Sequence, residues 1–186
     1  TAVGSMISMA LCPLLIKKLN ERNAYILLSV YGFAASVFSF VIGHFWFQSP
    51  KNMVLTVLFY ASLFLIGLQF GAVTLMPMIM TADTVDYYEH ETGKRMEGAC
   101  YSILTLTIKV CLALGTAVGL IFVQKSGYYE SLSAGTFTTK TKDIIFFAYT
   151  ALPGILALLS IVPMFKYDIV GEKKAKISSD LASRRK

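Results

Sequence analysis

The sequence predicts an all-α membrane protein, a helical bundle of about five transmembrane helices. Of its 186 residues, 55% are hydrophobic and only 15% are charged, and the mean hydropathy is +0.62. These values are typical of membrane proteins and not of an ordinary soluble domain. Because a bilayer core of about 30 Å needs about 20 helical residues, the last four of five apolar runs can span it, and the first is interpreted as a truncated span. The runs cover residues 1–16, 24–47, 53–80, 98–124 and 144–165.

The basic residues predict the orientation of the bundle. Twelve Lys and Arg side chains flank one side of the predicted spans and four flank the other. By the positive-inside rule, the richer side is cytoplasmic. The twelve are Lys17, Lys18, Arg22, Lys94, Arg95, Lys166, Lys173, Lys174, Lys176, Arg184, Arg185 and Lys186; the four are Lys51, Lys125, Lys140 and Lys142.

We therefore expect a transmembrane bundle at residues 1–166 and a basic cytoplasmic tail at residues 167–186. The protein is expected to be a multi-pass protein of the cytoplasmic (inner) membrane, with the lipid bilayer as a partner. The segment 81–97 is expected to be a cytoplasmic loop, and 125–143 an external one. The net charge of +6 does not indicate nucleic-acid binding, because the basic residues sit at the ends of apolar runs and not on one accessible face.

Lys109 stands out because it lies in the middle of the apolar run 98–124. It follows Gly98 by eleven residues, about 16 Å of helix, which places it near the midplane of a bilayer. A lysine there costs about 2.5–3.5 kcal/mol on insertion scales, so it is expected to face protein or a water-filled cavity. Helical spacing puts it on one polar stripe with Tyr101, Ser102, Thr105 and Thr116. The alternative is a lysine that serves only helix packing.

No acidic residue in the predicted spans lies where it could neutralise Lys109. All eleven Asp and Glu residues fall in predicted loops, at helix ends or in the tail. The partner of Lys109 is therefore expected from helices outside this sequence, from an anionic substrate or from backbone carbonyls, unless burial keeps the amine neutral. This pattern indicates a site shared between two parts of a protein.

The charged segment 81–97 allows two interpretations. A metal site is one, because several potential ligands share a helical face. The other is a charge network at the cytoplasmic mouth, in which Lys94 and Arg95 neutralise the acids. The potential ligands are Asp83, Asp86, Glu89 and His90.

The stretch "ADTVDYYEHETGKRMEGACYS", followed by Lys109 and then by Gly127 and Tyr128, resembles the signature of the glycoside-pentoside-hexuronide:cation symporters. This is the melibiose-permease-like branch of the major facilitator superfamily. The resemblance implies the C-terminal half of a twelve-helix sugar transporter, comprising helices eight to twelve. It implies alternating access, a sugar or glycoside substrate and no enzymatic activity. It implies no cofactor, and places the coupling cation (Na⁺, H⁺ or Li⁺) in the N-terminal half, the expected partner of this chain.

The resemblance also implies roles for individual residues. Lys109 and Thr105 match polar positions of the sugar cavity, and the stripe adds Tyr101. Thr74 stands where the melibiose permease has a tryptophan and Leu104 where it has a glutamine, which argues against melibiose as the substrate. The expected substrate-binding residues are Lys109, Thr105, Tyr101 and Thr74, and the expected gating residues are Asp83, Asp86, Arg95 and Glu97.

Two other functional classes fit the composition. A membrane scaffold would use its polar residues only to pack helices, and has no need for a midplane lysine. A membrane-embedded metalloenzyme would use the acidic segment, but it predicts a pair of histidines there, and that segment contains only His90. Cation-coupled transport is therefore the favoured prediction.

Overall fold

The computed structural model describes residues 1–184, and these residues contain helices and no strands. Four helical segments are long and apolar enough to cross a membrane: α1, α2, α3 and the segment Thr139–Met164 that comprises α5 to α7. The all-α membrane fold is thereby confirmed. The helices are α1 Ala2–Gln48, α2 Met53–Thr92, α3 Glu97–Lys125, α4 Tyr128–Ser133, α5 Thr139–Tyr149, α6 Ala151–Leu159, α7 Ile161–Met164 and α8 Gly171–Arg184.

Helix α1 reverses direction at Asn20. Its 47 residues would measure about 70 Å if continuous, but Asn20 has φ 63° and ψ 161°, outside the helical region. Before the break, Gly4 packs so closely on α2 that an added Cβ would lie 2.6 Å from the carbonyl oxygen of Phe64. After the break, the hydroxyl of Tyr31 donates a hydrogen bond of 3.0 Å to the carbonyl of Leu65. Both legs of α1 thus lie against the same part of α2, and they occupy the positions of the first two predicted spans.

Helix α2 continues well beyond the predicted span that ends at residue 80. It runs to Thr92 and ends where Gly93 takes the left-handed conformation, with φ 70°, and donates its N–H to the carbonyl of Glu89 at 2.8 Å. No helix breaker occurs between residues 81 and 92, and charged residues are compatible with a helix that leaves the membrane. The expectation of a loop over 81–97 was therefore wrong for its first twelve residues.

The last predicted span, 144–165, is a helix interrupted twice. The breaks fall at Thr150 and Ser160, between α5 and α6 and between α6 and α7. Pro153 and Pro163 lie three residues after these breaks. A proline ring has no N–H to donate and clashes with the carbonyl four residues earlier, which accounts for both kinks.

The basic tail is also helical and is docked onto the bundle. Helix α8 buries Ile177 and Leu181, which lie one turn apart on the face that contacts α2. The expected tail includes Arg185 and Lys186, which lie outside the described residues. The docking of α8 places its lysines next to the charged end of α2.

Helix α3 is the least covered element of the fold. It buries none of its residues, whereas Cys12, Ala24, Ala72 and Met76 form a core between α1 and α2. Within residues 1–184, a Cβ added at Gly115 or Gly119 of α3 would have no atom within 4 Å outside the neighbouring backbone of its own helix. The helix that carries Lys109 therefore presents nearly its whole surface to whatever surrounds the bundle.

Candidate functional site

An open groove of about 400 Å³, lined in part by polar side chains, runs along the first half of α3. Its lining residues recur every three or four positions, so they form one face of the helix. They are Gly98, Tyr101, Ser102, Thr105, Leu106 and Lys109. Three of the four expected substrate-binding residues are thus brought together in one groove.

Lys109 lies at one end of this groove. Its side chain is exposed and makes no hydrogen bond or ion pair with any residue in the described part of the chain. One turn earlier, the hydroxyl of Thr105 donates to the carbonyl of Tyr101 at 2.8 Å, which leaves its oxygen lone pairs available as acceptors. The groove therefore offers the Lys109 side chain as a donor one turn from a hydroxyl acceptor.

Thr74, the fourth expected substrate-binding residue, lies outside this groove on the exposed face of α2. Its hydroxyl donates to the carbonyl of Phe70 at 2.7 Å. One turn further along, the carbonyl of Met78 lies 3.5 Å from the hydroxyl of Tyr101, at the long limit of a hydrogen bond. Thr74 and the groove are thus connected through the side of α2 that faces α3, but they do not form one pocket.

Arg95 binds three carboxylates in the connection between α2 and α3. Its guanidinium lies 2.9 Å from Glu89, 3.1 Å from Glu97 and 3.5 Å from Asp86. Hydrogen bonds to Glu89 and Glu97 raise the pKa of Arg95 above its ordinary value. Asp86, Arg95 and Glu97 of the expected gating group are therefore together, and Glu89 completes the cluster.

Asp83, the remaining residue of the expected gating group, belongs to a different cluster. Lys174 of α8 lies 2.7 Å from Asp83 and 2.6 Å from Glu21, which directly follows the break in α1. Both acids are buried, with 6% of Glu21 and 8% of Asp83 exposed. A single lysine thus bridges two buried carboxylates, offsets the charge of one of them, and joins α1, α2 and α8.

Two further contacts support this second cluster. Burial would lower the pKa of Lys174, but its hydrogen bonds to Asp83 and Glu21 and the charges of those two acids outweigh burial and raise the pKa. Tyr167 donates from its hydroxyl to Asp83 at 3.4 Å. Burial, and then the charges of Asp83 and Glu21, raise the pKa of Tyr167, so it remains a neutral donor.

The same contacts argue against the metal interpretation of the acidic segment. Asp83 binds Lys174, Asp86 and Glu89 bind Arg95, and the Nε2 of His90 lies 3.1 Å from Asp180. Within residues 1–184, no three His, Cys, Asp or Glu side chains are arranged to hold a metal ion. The four potential ligands are distributed over three separate ion-pair clusters.

Comparison with known proteins identifies the family of the chain. A model of the MFS/sugar transport protein family matches residues 1–171. The chain belongs to this family. The family expected from the 81–128 motif is thereby confirmed, and the family points to a transporter rather than an enzyme. The protein is a multi-pass integral membrane protein.

Three curated relatives illustrate the relationship. The chain is 24% identical to the glucuronide carrier protein homolog of Escherichia coli, over 99% of this chain and 38% of the relative. It is 31% identical to the inner membrane symporter YicJ of Escherichia coli, over 68% of this chain and 27% of the relative. It is 28% identical to an uncharacterized 29.9 kDa protein of Pseudescherichia vulneris, over 89% of this chain and 58% of the relative. The chain thus spans less than two thirds of the length of these relatives, and no solved structure matches it.

Proposed function

We propose that this chain is the C-terminal half of a cation-coupled transporter for a sugar or glycoside. The observation that carries the proposal is Lys109, which lines the groove on α3, is exposed, makes no ion pair within residues 1–184 and lies in the middle of an apolar run. Such a residue is costly to insert, and intramembrane ionisable residues mark substrate or ion pathways. The relative named as a glucuronide carrier homolog supports a sugar derivative as the substrate, and the relative named as a symporter supports coupled transport.

The uncovered surface of α3 supports a two-part site. Because α3 buries none of its residues in this chain, the groove needs a second wall. The expected N-terminal half would supply that wall, together with an acidic partner for Lys109. Sugar hydroxyls both donate and accept hydrogen bonds, so the ammonium of Lys109 and the hydroxyls of Thr105 and Tyr101 suit a sugar.

Alternating access is the proposed mechanism. The two halves would rock about the central site, and substrate and cation would each shift the equilibrium between outward-open and inward-open states. The coupling cation (Na⁺, H⁺ or Li⁺) is assigned to the N-terminal half. The Arg95 and Lys174 clusters lie at the same end of α2 and are proposed to act as the cytoplasmic gate.

The transport proposal is tested by uptake in cells. The full-length protein should be expressed in a strain without sugar uptake systems of its own, and a panel of labelled glycosides and uronides should be presented. At least one compound is expected to enter faster than in cells with the empty vector. If no compound in the panel enters faster than in those cells, the assignment to sugar transport fails.

Arg95→Ala is expected to slow transport and to leave expression near normal. Exposed ion pairs contribute little to folding, so loss of this cluster should change the populations of the access states and not the stability of the fold. Uptake rate and membrane expression measured in parallel check this. Lys94→Ala is the matched control, because Lys94 is exposed, adjacent in sequence and in no ion pair within residues 1–184. Equal uptake by Arg95→Ala and Lys94→Ala would remove the gating role.

Cysteine labelling tests the proposed orientation, in which the C-terminus is cytoplasmic. Ser133 is an exposed position in the segment expected to be external, and Ser178 of α8 is an exposed position in the tail expected to be cytoplasmic. In a cysteine-free background, an impermeant maleimide added to intact cells should label Ser133→Cys and spare Ser178→Cys until the membrane is permeabilised. The reverse pattern would invert the topology.

A further inference from the structure

A second groove, of about 660 Å³, lies between the two legs of α1 and α2, away from the groove on α3. Its walls are almost entirely aliphatic. The hydroxyl of Tyr31, which borders it, is already engaged with the carbonyl of Leu65 at 3.0 Å. The main lining residues are Leu11, Leu14, Leu15, Leu27, Leu28 and Leu68. A groove of this composition does not suit a sugar, but it suits a hydrocarbon chain.

The dimensions of the groove match one leaflet of a membrane. It extends along the first leg of α1 from Ser8 to Lys18. At 1.5 Å per residue this length is about 15 Å. The hydrocarbon core of a bilayer is about 30 Å thick, so the groove is as long as one leaflet is deep. A lipid acyl chain that enters from the membrane surface would end near the level of Ser8.

A basic group stands at the surface end of the groove. Lys18 lines the groove, is exposed and makes no ion pair with any residue that the structure describes. Lys17 and Arg22 lie in the same reversal of α1, and they too make no ion pair within residues 1–184. The acid of this turn, Glu21, is already bound by Lys174. The three basic residues of this turn therefore have no carboxylate partner within residues 1–184.

We propose that this groove binds one anionic phospholipid, with an acyl chain between the legs of α1 and the phosphate on Lys18. Charge complementarity selects this occupant, because basic pockets between helices bind anionic headgroups and aliphatic walls accept the chain. The site is separate from the proposed sugar site, since the two grooves share no residue. It provides the bundle with a lipid that fills the gap where α1 reverses.

Native mass spectrometry of the full-length protein tests the proposal. The protein should be delipidated in mild detergent and exposed to equal amounts of phosphatidylglycerol and phosphatidylcholine. We expect the protein to retain one phosphatidylglycerol molecule in preference to phosphatidylcholine. Lys18→Gln should reduce that preference about fivefold, the effect of one basic residue near an anionic surface. Lys51→Gln, at an exposed lysine beyond the other end of α1, should leave it unchanged.

Two further variants test the position of the lipid. Leu14→Trp fills the groove at an exposed position, so it should lower retention of both lipids without unfolding the protein. In a background without Cys12, Cys100 and Cys111, Leu14→Cys should react with a lipid-soluble maleimide in phosphatidylcholine vesicles and be protected in phosphatidylglycerol vesicles. Equal retention of the two lipids by the unaltered protein, or unchanged retention in Lys18→Gln or Leu14→Trp, would overturn the proposal. Cross-linking of Leu14→Cys to another segment of the same chain would show that protein fills the groove.

Discussion

Lys109→Ala is expected to abolish gradient-driven uptake of the transported sugar. Lys109 is the only basic residue inside the apolar run 98–124, and it is unpaired within residues 1–184. Its removal takes away the charged donor of the groove and leaves the proposed acid of the other half buried without a counter-ion. Leaving one charge of a buried pair uncompensated costs about 3–5 kcal/mol. This cost is enough to lower the population of the transport-competent conformation by more than a hundredfold.

Lys109→Arg is expected to restore little of the lost uptake. The planar guanidinium keeps the charge but does not replace a compact ammonium beside Thr105 at a close-fitting site. Lys125→Ala is the matched control, because Lys125 is an exposed lysine at the far end of the same helix. The Lys125→Ala variant should take up the sugar at the normal rate. Initial uptake rates, normalised to the amount of protein in the membrane, distinguish these variants.

A double substitution identifies the partner of Lys109. Neutralising one intramembrane Asp of the N-terminal half together with Lys109 should give better membrane expression than either change alone, because no unpaired charge remains. Full uptake by Lys109→Ala would show instead that the lysine only packs the helix, and the assignment of the groove as the transport site would fall.

Lys174→Met is expected to destabilise the folded bundle and release α8. The substitution leaves Glu21 and Asp83, 6% and 8% exposed, facing one another without a cation. A fully buried pair broken in this way costs about 3–5 kcal/mol, and the loss here should be about 2–3 kcal/mol because the side chain of Lys174 is 37% exposed. Unfolding in detergent measures the loss of stability, and limited trypsin cleavage within α8 measures the release of that helix.

The neighbouring lysine provides the control for this experiment. Lys173 binds Asp168 at 2.7 Å, but both side chains are largely exposed, so Lys173→Met should change stability little. Adding Glu21→Gln and Asp83→Asn to Lys174→Met should recover much of the lost stability, since the uncompensated charges are then gone. If Lys173→Met and Lys174→Met unfold alike, the buried cluster does not hold α8 in place.

The membrane fold could be predicted from the sequence because hydropathy and run length are local properties. The polar face of α3 could also be predicted, since Tyr101, Thr105 and Lys109 are related by the period of one helix. The helical extension of α2 could not, because charged residues are typical both of loops and of helices that leave the membrane. Gly93, which caps that helix, was the available signal.

The cluster of Lys174, Glu21 and Asp83 could not be predicted from the sequence, for a different reason. Glu21 and Lys174 lie 153 positions apart, and Lys174 is one of seven basic residues after residue 165. Nothing local distinguishes it from Lys173 or Lys176, because its partners are selected by the docking of Ile177 and Leu181 on α2. For the same reason, the sequence did not show that Asp83 of the expected gating group pairs with Lys174 and not with Arg95.

Accumulation of sugar by proteoliposomes tests the central proposal most directly. The full-length protein, reconstituted in sealed vesicles, should be given a labelled glycoside together with an inward gradient of Na⁺, Li⁺ or H⁺. The proposal predicts that one of these cations drives the sugar above its external concentration, and that collapsing the cation gradient with an ionophore releases it. Equilibration without accumulation under all three gradients would contradict cation-coupled transport.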